Sequence, residues 1–199
     1  MRIALFGGTF DPPHRGHLAI AKAAADALEL DRVLFAPVGR QPLKLDAHSS
    51  TYIDRLSMVM LASKHDHRFQ PSSLDAPNPN GKPNYTVDTL TLLRALYPDA
   101  ALFNLVGADS FLALPHWREP ARLLELAEWI VVSRPGFPLD SIAALGLTPQ
   151  QRARVHLVES VHDDVSATEL RQRLHDGDAC EDLLLPEILA YIREHNLYV

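Results

Sequence analysis

The stretch GGTFDPPHRGH, residues 7–17, decides the fold because it joins a short apolar run to an alanine-rich segment. The run RIALF, residues 2–6, predicts a buried strand, and apolar residues recur on one face of a helix predicted for 16–30. Glycines directly after a strand let the backbone turn tightly and approach a ligand without a Cβ in the way. The sequence therefore predicts a strand–loop–helix unit with a binding loop at its centre.

Strand-like and helix-like segments alternate along the rest of the chain. This alternation predicts an α/β protein with a Rossmann-like, doubly wound, mostly parallel sheet and helices on both faces. In such sheets ligands bind beyond the carboxyl ends of the strands. We expect a single domain spanning 1–199, because no repeat, low-complexity tract or linker interrupts it. The further predicted strands are 32–38, 101–106, 129–133 and 154–158, the helices are 51–64, 86–97, 167–175 and 186–194, and 71–84 is a loop.

Composition narrows the class of protein. The chain has 199 residues, 47% of them hydrophobic, and a single cysteine, Cys180, which excludes an intrachain disulfide and a cysteine-based zinc site. We therefore expect a cytoplasmic protein, with no signal peptide and no membrane span. The net charge of −6 argues against broad nucleic-acid binding but leaves room for a local phosphate site.

The two histidines of the opening stretch, His14 and His17, are three residues apart at the predicted start of a helix. At this spacing both rings lie on one face, and a helix N-terminus offers N–H groups and partial positive charge to an anion. This combination predicts a phosphate-binding cradle. Two simpler alternatives stay open, a plain glycine turn and a metal-binding histidine pair. The chain contains neither GxxxxGK[ST] nor, after the first strand, GxGxxG.

A second candidate site lies in VSATELR, residues 165–171. Ser166 and Glu169 have the spacing of a capping box, and flanking apolar residues would complete it as a hydrophobic staple. That local explanation leaves Thr168 and Arg171 without a role. The same helix start could bind a phosphate, with Arg171 one turn in.

Several isolated residues follow other predicted strands or loops. Asp109 could bind a ligand or cap a helix, and Thr86 could bind a ligand or serve only as an N-cap. Trp117 could belong to the core or offer a flat surface for an aromatic ligand ring. Lys44, in a proline-bearing loop after the second strand, is most simply a solvated surface lysine. Together these positions predict one anionic, ring-bearing ligand.

The quoted motifs resemble a known family. GGTFDPPHRGHL is similar to the GxFDPxHxGH signature of the nucleotidyltransferase superfamily, in its HxGH adenylyltransferase branch, and SATELR resembles the second signature of that branch. NYTVDTL, VGADSFLALPHW and VVSRPG resemble the bacterial nicotinate-nucleotide adenylyltransferases. The likeness runs from about residue 2 to 175. Ala167 departs from it, since a hydroxyl residue is frequent there, and this puts one phosphate contact in doubt.

The resemblance implies that ATP and nicotinate mononucleotide bind together, and that adenylyl transfer gives nicotinate adenine dinucleotide and pyrophosphate. It implies catalytic roles for His14, His17, Lys44 and Arg171. Mg²⁺ would arrive on the phosphates of ATP without dedicated protein ligands. The substrate contacts it implies are Gly7, Gly8, Thr9 and Phe10 through the backbone, Ser166 and Thr168 at the triphosphate, Asp109 and Arg134 near adenosine, and Thr86 and Trp117 at the nicotinate ring.

Two alternatives remain open at the level of sequence. A sister enzyme could adenylylate phosphopantetheine with the same first signature, although Trp117 and the Thr86 segment argue against it. A noncatalytic nucleotide sensor would not need the full set of cationic and imidazole groups. We expect small-molecule substrates rather than nucleic acid or membrane as partners, and the sequence leaves a homo-oligomer open.

Overall fold

Six parallel strands form one sheet in the computed structural model, which describes residues 1–42, 50–133, 140–143, 145–159 and 166–199. Their order across the sheet is β3-β2-β1-β4-β5-β6, and each neighbouring pair runs parallel. The predicted α/β, doubly wound fold is therefore confirmed. The strands are β1 (Arg2–Gly8), β2 (Arg32–Pro37), β3 (Phe69–Pro71), β4 (Ala101–Gly107), β5 (Glu128–Ser133) and β6 (Val155–Glu159).

Helices lie between successive strands, and two more follow the last strand, β6. Their bounds are α1 (Arg15–Ala27), α2 (Tyr52–Ala62), α3 (Thr86–Leu96), α4 (Ala108–Leu112), α5 (Pro120–Leu126), α6 (Asp140–Ala143), α7 (Pro149–Arg152), α8 (Ala167–His175) and α9 (Pro186–Glu194). The last two match the predicted ranges residue for residue. Among the described residues, no helix is long and apolar enough to cross a membrane.

The core lies on both faces of the sheet because successive side chains of a strand point to opposite faces. In β1, Ile3 and Leu5 pack with α3 and α5 on one face, while Ala4 and Phe6 pack with α1 on the other. A third apolar cluster joins α2, α8 and α9 beside the sheet. Strands buried on both faces are nearly continuous apolar runs, which is why the sequence revealed them.

The strand order reverses between β1 and β4. From β1 the chain proceeds outward through β2 and β3, then returns to place β4 on the other side of β1. At such a switch point, the loops after the two central strands lead to opposite faces and leave a crevice. The loop after β1 is the GGTFDPPHRGH stretch, so the fold places the strongest motif at the crevice.

The predicted end of α1 at residue 30 is wrong by three residues. The helix ends at Ala27, Glu29 takes a left-handed conformation with φ of 47°, and the Leu30 N–H donates to the Ala25 carbonyl. This is a Schellman-type ending, which usually has glycine at the left-handed position. Because glutamate stands there instead, the sequence carried no signal for the stop.

Sequence patterns also did not indicate β3 or the short helices α4 to α7. The strand β3 has three residues, ends in Pro71 and follows a polar segment. Helices of four to seven residues are too short to show a 3.6-residue periodicity. Such elements are set by tertiary contacts, which a single sequence does not display.

Gly39 provides a specific test of how the loop after β2 is packed. Its N–H donates to the Asp75 carbonyl at 2.7 Å, and a Cβ at Gly39 would lie only 2.4 Å from the Pro77 nitrogen. We expect Gly39→Ala to lower the free energy of unfolding by about 1–3 kcal/mol, because backbone rather than a flexible side chain must move. Chemical denaturation measures this loss.

Gly7→Ala is the matched control for that experiment. A Cβ at Gly7 meets no heavy atom within 4 Å, and its φ is not in the left-handed region. We expect its unfolding free energy to stay within about 0.5 kcal/mol of the parent. Equal losses in the two variants would show that the close approach of Gly39 to Pro77 has no energetic consequence.

Candidate functional site

One cavity of about 350 Å³ opens at the carboxyl ends of β1 and β4. Residues from the loop after β1, the start of α3 and the segment after β4 line it together. The structure thus collects side chains that are about a hundred residues apart in the sequence. The predicted site residues that line the cavity are Gly7, Gly8, His17, Thr86, Asp109 and Trp117.

The loop after β1 is held from below by Phe10. Its backbone is left-handed, with φ of 51°, and its ring is buried. The ring packs edge-on against Phe6 and His17, with centroid distances of 5.4 and 5.0 Å. A Cβ at Gly8 would lie 3.1 Å from the Phe10 ring, so glycine at position 8 leaves the space into which this ring folds. Phe10 therefore supports the loop instead of facing the cavity.

His14 and His17 lie together at the start of α1, as the spacing predicted. Their ring centroids are 3.9 Å apart, and the His14 backbone N–H donates to His17 Nδ1 at 3.2 Å. Because Nδ1 accepts this bond, the proton of neutral His17 is on Nε2. Burial lowers the pKa of His17 well below its usual range, and the neighbouring His14 adds to the effect. His17 is therefore a neutral N–H donor at the cavity.

The helix amides contribute less to this cradle than the sequence suggested. The Arg15 N–H donates to the Leu183 carbonyl, and the His17 N–H donates to the His14 carbonyl. These two first-turn amides are already engaged within the fold. Neither of these amides is therefore available to an anion, whereas His17 itself lines the cavity.

Thr86 and Trp117 form the opposite wall of the cavity. Thr86 is the first residue of α3 and Tyr85 is its N-cap, so the alternative of Thr86 as an N-cap is wrong. Trp117 is half-buried and packs edge-on against Trp129 at 5.8 Å, while it also lines the cavity. It therefore both belongs to the core and offers a ring face to a ligand.

The segment after β4 supplies Asp109. The N-cap of α4 is Gly107, so Asp109 does not cap that helix. A Cβ at Gly107 would lie 2.8 Å from Asp109 Oδ1, which shows that the carboxylate folds back over this glycine. Ser110 follows and also lines the cavity.

The predicted capping box at the start of α8 is not formed. Ser166 is the N-cap, but its side chain makes no capping hydrogen bond. Arg171 instead reaches across to the first motif. Its Nη1 donates to the Asp11 backbone carbonyl at 2.9 Å, and its Nη2 donates to Thr168 Oγ1 at 3.3 Å. The two signatures, 160 residues apart, are therefore joined by one guanidinium group.

The remaining predicted residues are placed outside the cavity wall. Of the described residues, His14, Thr9, Phe10, Ser166, Thr168 and Arg171 do not line the cavity: the first three belong to the first motif and the last three to the start of α8. Thr9 Oγ1 donates to Gln41 Oε1 at 3.3 Å, and Gln41 does line it. Lys44 and Arg134 lie outside the described residues.

Sequence patterns assigned no role to three buried polar residues of this region. Asp11 is 1% exposed and Arg55 is 3% exposed, and Arg55 Nη1 donates to the Thr9 carbonyl at 2.8 Å. Burial lowers the pKa of Arg55, while the Asp11 carboxylate opposes that shift. Asn104, on β4, is also buried and lines the cavity, and its amide nitrogen finds no acceptor among the described residues. Only Asp11, inside the quoted stretch, could have been found from a motif.

The chemistry of this site suits anions better than metal ions. Within the described ranges, no group of three histidine, cysteine or carboxylate side chains is arranged to hold a metal. Asp11 is engaged by other protein groups, and Asp75 and Asp109 are the two carboxyl groups among the described residues that line the cavity. Burial raises the pKa of Asp75, and its Oδ1 accepts a hydrogen bond from the Thr89 hydroxyl at 2.8 Å.

Comparison with known proteins agrees with this architecture. Residues 5–173 match the cytidylyltransferase-like family model. A protein of Roseiflexus sp. (strain RS-1), named "probable nicotinate-nucleotide adenylyltransferase", is 43% identical, covering 98% of this chain and 97% of its own. The chain belongs to the nicotinate-nucleotide adenylyltransferase family. A protein of the same name from Thermus thermophilus is 40% identical, with full coverage of both chains.

A solved structure shares the fold of this chain. The nicotinic acid mononucleotide adenylyltransferase of Plasmodium falciparum, complexed with NaAD, superposes with a TM-score of 0.76. The match covers 99% of this chain and 97% of the other at 16% identity. At that identity the likeness supports the fold, and the family assignment depends on the curated relatives.

The neutral state of His17 leads to a testable pH dependence. Its folded-state pKa lies below the unfolded value of 6.5, so the unfolded chain binds an additional proton as the pH falls through that region. The contribution of neutral His17 to the free energy of unfolding is therefore complete above pH 6.5, and it is lost as the pH falls from 6.5 toward the lower pKa of the folded state. We therefore expect the melting temperature of the parent to fall more between about pH 7.5 and about pH 5 than that of His17→Asn.

The control is His67→Asn, because the His67 side chain is 92% exposed. It should show the same acid-induced loss as the parent. Scanning calorimetry at the two pH values measures all three proteins. Parallel losses in the parent and His17→Asn would contradict a buried, neutral His17.

Proposed function

We propose that the protein transfers the adenylyl group of ATP to nicotinate mononucleotide, giving nicotinate adenine dinucleotide and pyrophosphate. One observation carries the proposal. His17 and the glycines after β1 share a cavity with Thr86 and Trp117, in a chain whose full-length relatives bear the name of this activity. Those names favour this acceptor over phosphopantetheine, and they favour catalysis over a sensor.

The cavity suits an in-line displacement. An oxygen of the mononucleotide phosphate attacks the α-phosphorus of ATP, a new P–O bond forms, and the bond to the bridging oxygen breaks. The electron pair leaves with pyrophosphate, so no covalent bond to the protein is needed. Catalysis then comes from positioning and from stabilising charge on the phosphoryl oxygens.

The residues divide between the two substrates. In this proposal, the Nε2–H of His17 donates to an oxygen of the transferred phosphoryl group, with His14 beside it. Arg171, Ser166 and Thr168 would bind the triphosphate and Asp109 the adenosine, and by similarity to the family Lys44 would join the first group and Arg134 the second. Mg²⁺ would be carried on the phosphate oxygens of ATP without dedicated protein ligands, and there it would shield the phosphate charge. The pyridine ring stacks on Trp117 near Thr86.

Hydrogen-bond donors near Thr86 and Trp117 favour nicotinate mononucleotide over nicotinamide mononucleotide. A nicotinate carboxylate only accepts hydrogen bonds, whereas nicotinamide presents an NH₂ group. The Thr86 hydroxyl and the buried Asn104 amide nitrogen both offer donors to the cavity. A nicotinamide NH₂ group that faces such donors has no hydrogen-bond acceptor in the site, which weakens binding by about 1–3 kcal/mol.

We therefore expect nicotinate mononucleotide to be preferred over nicotinamide mononucleotide by at least about tenfold in kcat/KM, equivalent to about 1.4 kcal/mol. Stacking on Trp117 contributes little to this difference, because the two rings have nearly the same shape. Competing both mononucleotides in one reaction with ATP, and quantifying the two dinucleotides, measures the preference. Pyrophosphate release without either mononucleotide gives the background.

Thr86→Val tests the source of the preference, and Thr91→Val is its control on the same helix. Thr91 Oγ1 donates to the Val87 carbonyl at 2.6 Å, and Thr91 is not among the cavity-lining residues described. Thr86→Val should narrow the preference, and Thr91→Val should preserve it. Equal use of both mononucleotides by the parent protein, or preference for the amide, would contradict the proposed function.

A further inference from the structure

The carboxylate of Asp11 is buried beneath the loop that carries the two histidines. It accepts a hydrogen bond from the Tyr198 hydroxyl at 2.7 Å and from the Ser50 N–H at 3.2 Å. Only 1% of Asp11 is exposed, and among the described residues it does not line the cavity. The carboxylate therefore acts on the site through its neighbours rather than by touching a substrate.

Arg171 binds an unexpected acceptor beside this group. A guanidinium ordinarily binds a carboxylate in preference to a neutral carbonyl, because charge assistance strengthens the bond. Here its Nη1 donates to the Asp11 backbone carbonyl at 2.9 Å and lies 3.8 Å from Asp11 Oδ2. The carboxylate and the guanidinium therefore form a long ion pair, at a distance too great for a hydrogen bond between them.

Tyr198 fixes the orientation of this carboxylate, because its hydroxyl binds Oδ1 while Oδ2 is the oxygen that faces Arg171. It follows α9, and its backbone is left-handed, with φ of 62°, which is unfavourable for a bulky residue. Its ring packs against the apolar cluster that includes Met58 and Ile188. Burial raises the pKa of Tyr198, and the Asp11 carboxylate raises it further, so the hydroxyl keeps its proton and donates.

We propose that Tyr198 is a positioning residue for the phosphate end of the site: by donating to Asp11 Oδ1, it fixes the carboxylate so that its ion pair with Arg171 stays long and does not become a hydrogen-bonded pair. The Arg171 guanidinium then stays anchored by Nη1 to the Asp11 carbonyl and by Nη2 to the Thr168 hydroxyl, and its remaining N–H groups can turn toward a triphosphate. Without the hydroxyl, the carboxylate draws Arg171 inward and its charge is neutralised. This inference deepens the proposed function, because it assumes that Arg171 binds ATP.

The test is Tyr198→Phe, which keeps the ring and its packing and removes only the hydroxyl. We expect the affinity for a nonhydrolysable ATP analogue with Mg²⁺ to fall about tenfold, the loss of roughly one charge-assisted contact. The affinity for nicotinate mononucleotide should change less than about twofold. Titration calorimetry of each ligand separately gives both values, and neither requires turnover.

Tyr191→Phe is the matched control. Tyr191 belongs to the same C-terminal region, and its hydroxyl donates to Asp54 Oδ1 at 3.0 Å, a similar tyrosine–aspartate bond remote from the first motif. Both variants lose one such bond, so a purely structural effect should lower both melting temperatures alike. Only Tyr198→Phe should weaken binding of the ATP analogue.

The Arg171→Gln background tests whether Tyr198 acts through the guanidinium. Arg171 is partly exposed, with 26% of its side chain accessible, so this variant should fold. In that background, adding Tyr198→Phe should change the affinity for the ATP analogue less than about twofold, since the group it protects is absent. An unchanged tenfold effect there would overturn the proposal, as would equal losses for the two ligands in the single variant.

A separate measurement tells this proposal apart from the proposed function. Pyrophosphate release by the parent protein with nicotinate mononucleotide tests the function alone. If the parent releases none, the proposed reaction is wrong, yet the ATP-analogue titrations still decide the role of Tyr198. If the parent is active and Tyr198→Phe binds the ATP analogue normally, only the role of Tyr198 is wrong.

Discussion

The buried carboxylate of Asp11 is the constraint on which the arrangement of the first-motif loop depends. A buried charge is costly unless it is fully hydrogen-bonded, so the groups around it cannot be placed freely. The chain meets this demand with the Ser50 N–H before α2 and the Tyr198 hydroxyl after α9, while Arg171 of α8 binds the backbone of the same residue. Segments distant in the sequence are thereby fixed around a single loop.

The other end of the site depends on the sheet. Because β1 and β4 are neighbours in a parallel sheet, the loops after them open at one edge, and α3 approaches the same crevice. Backbone after β1 and the imidazole of His17 lie on one side, and Trp117 with Thr86 lies on the other. In the proposed reaction, the phosphates lie on the first side and the pyridine ring on the second, and the reacting groups meet between them.

The sequence predicted what short-range patterns encode. Buried strands appear as apolar runs, and two histidines three residues apart must share the face of a helix start. The hydrogen bond of Asp11 with Tyr198 could not be predicted, because the two residues are 187 positions apart and no pattern links them. Arg55 was hidden for a related reason, since a buried arginine in a helix looks in sequence like a surface one. The predicted capping box at the start of α8 is wrong for a physical reason. Ser166 and Glu169 have the right spacing, yet the Ser166 side chain makes no capping hydrogen bond. Local sequence rules state which side chains can cap a helix, whereas tertiary contacts decide which ones do.

The most direct test is a crystal structure with nicotinate mononucleotide and a nonhydrolysable ATP analogue bound together. We expect the pyridine ring against Trp117 and the triphosphate beside His14, His17 and Arg171. An oxygen of the mononucleotide phosphate should lie about 3–3.5 Å from the α-phosphorus, in line with the leaving group. Either ligand bound outside this crevice, or the pyridine ring placed at the phosphate end, would contradict the proposed mechanism.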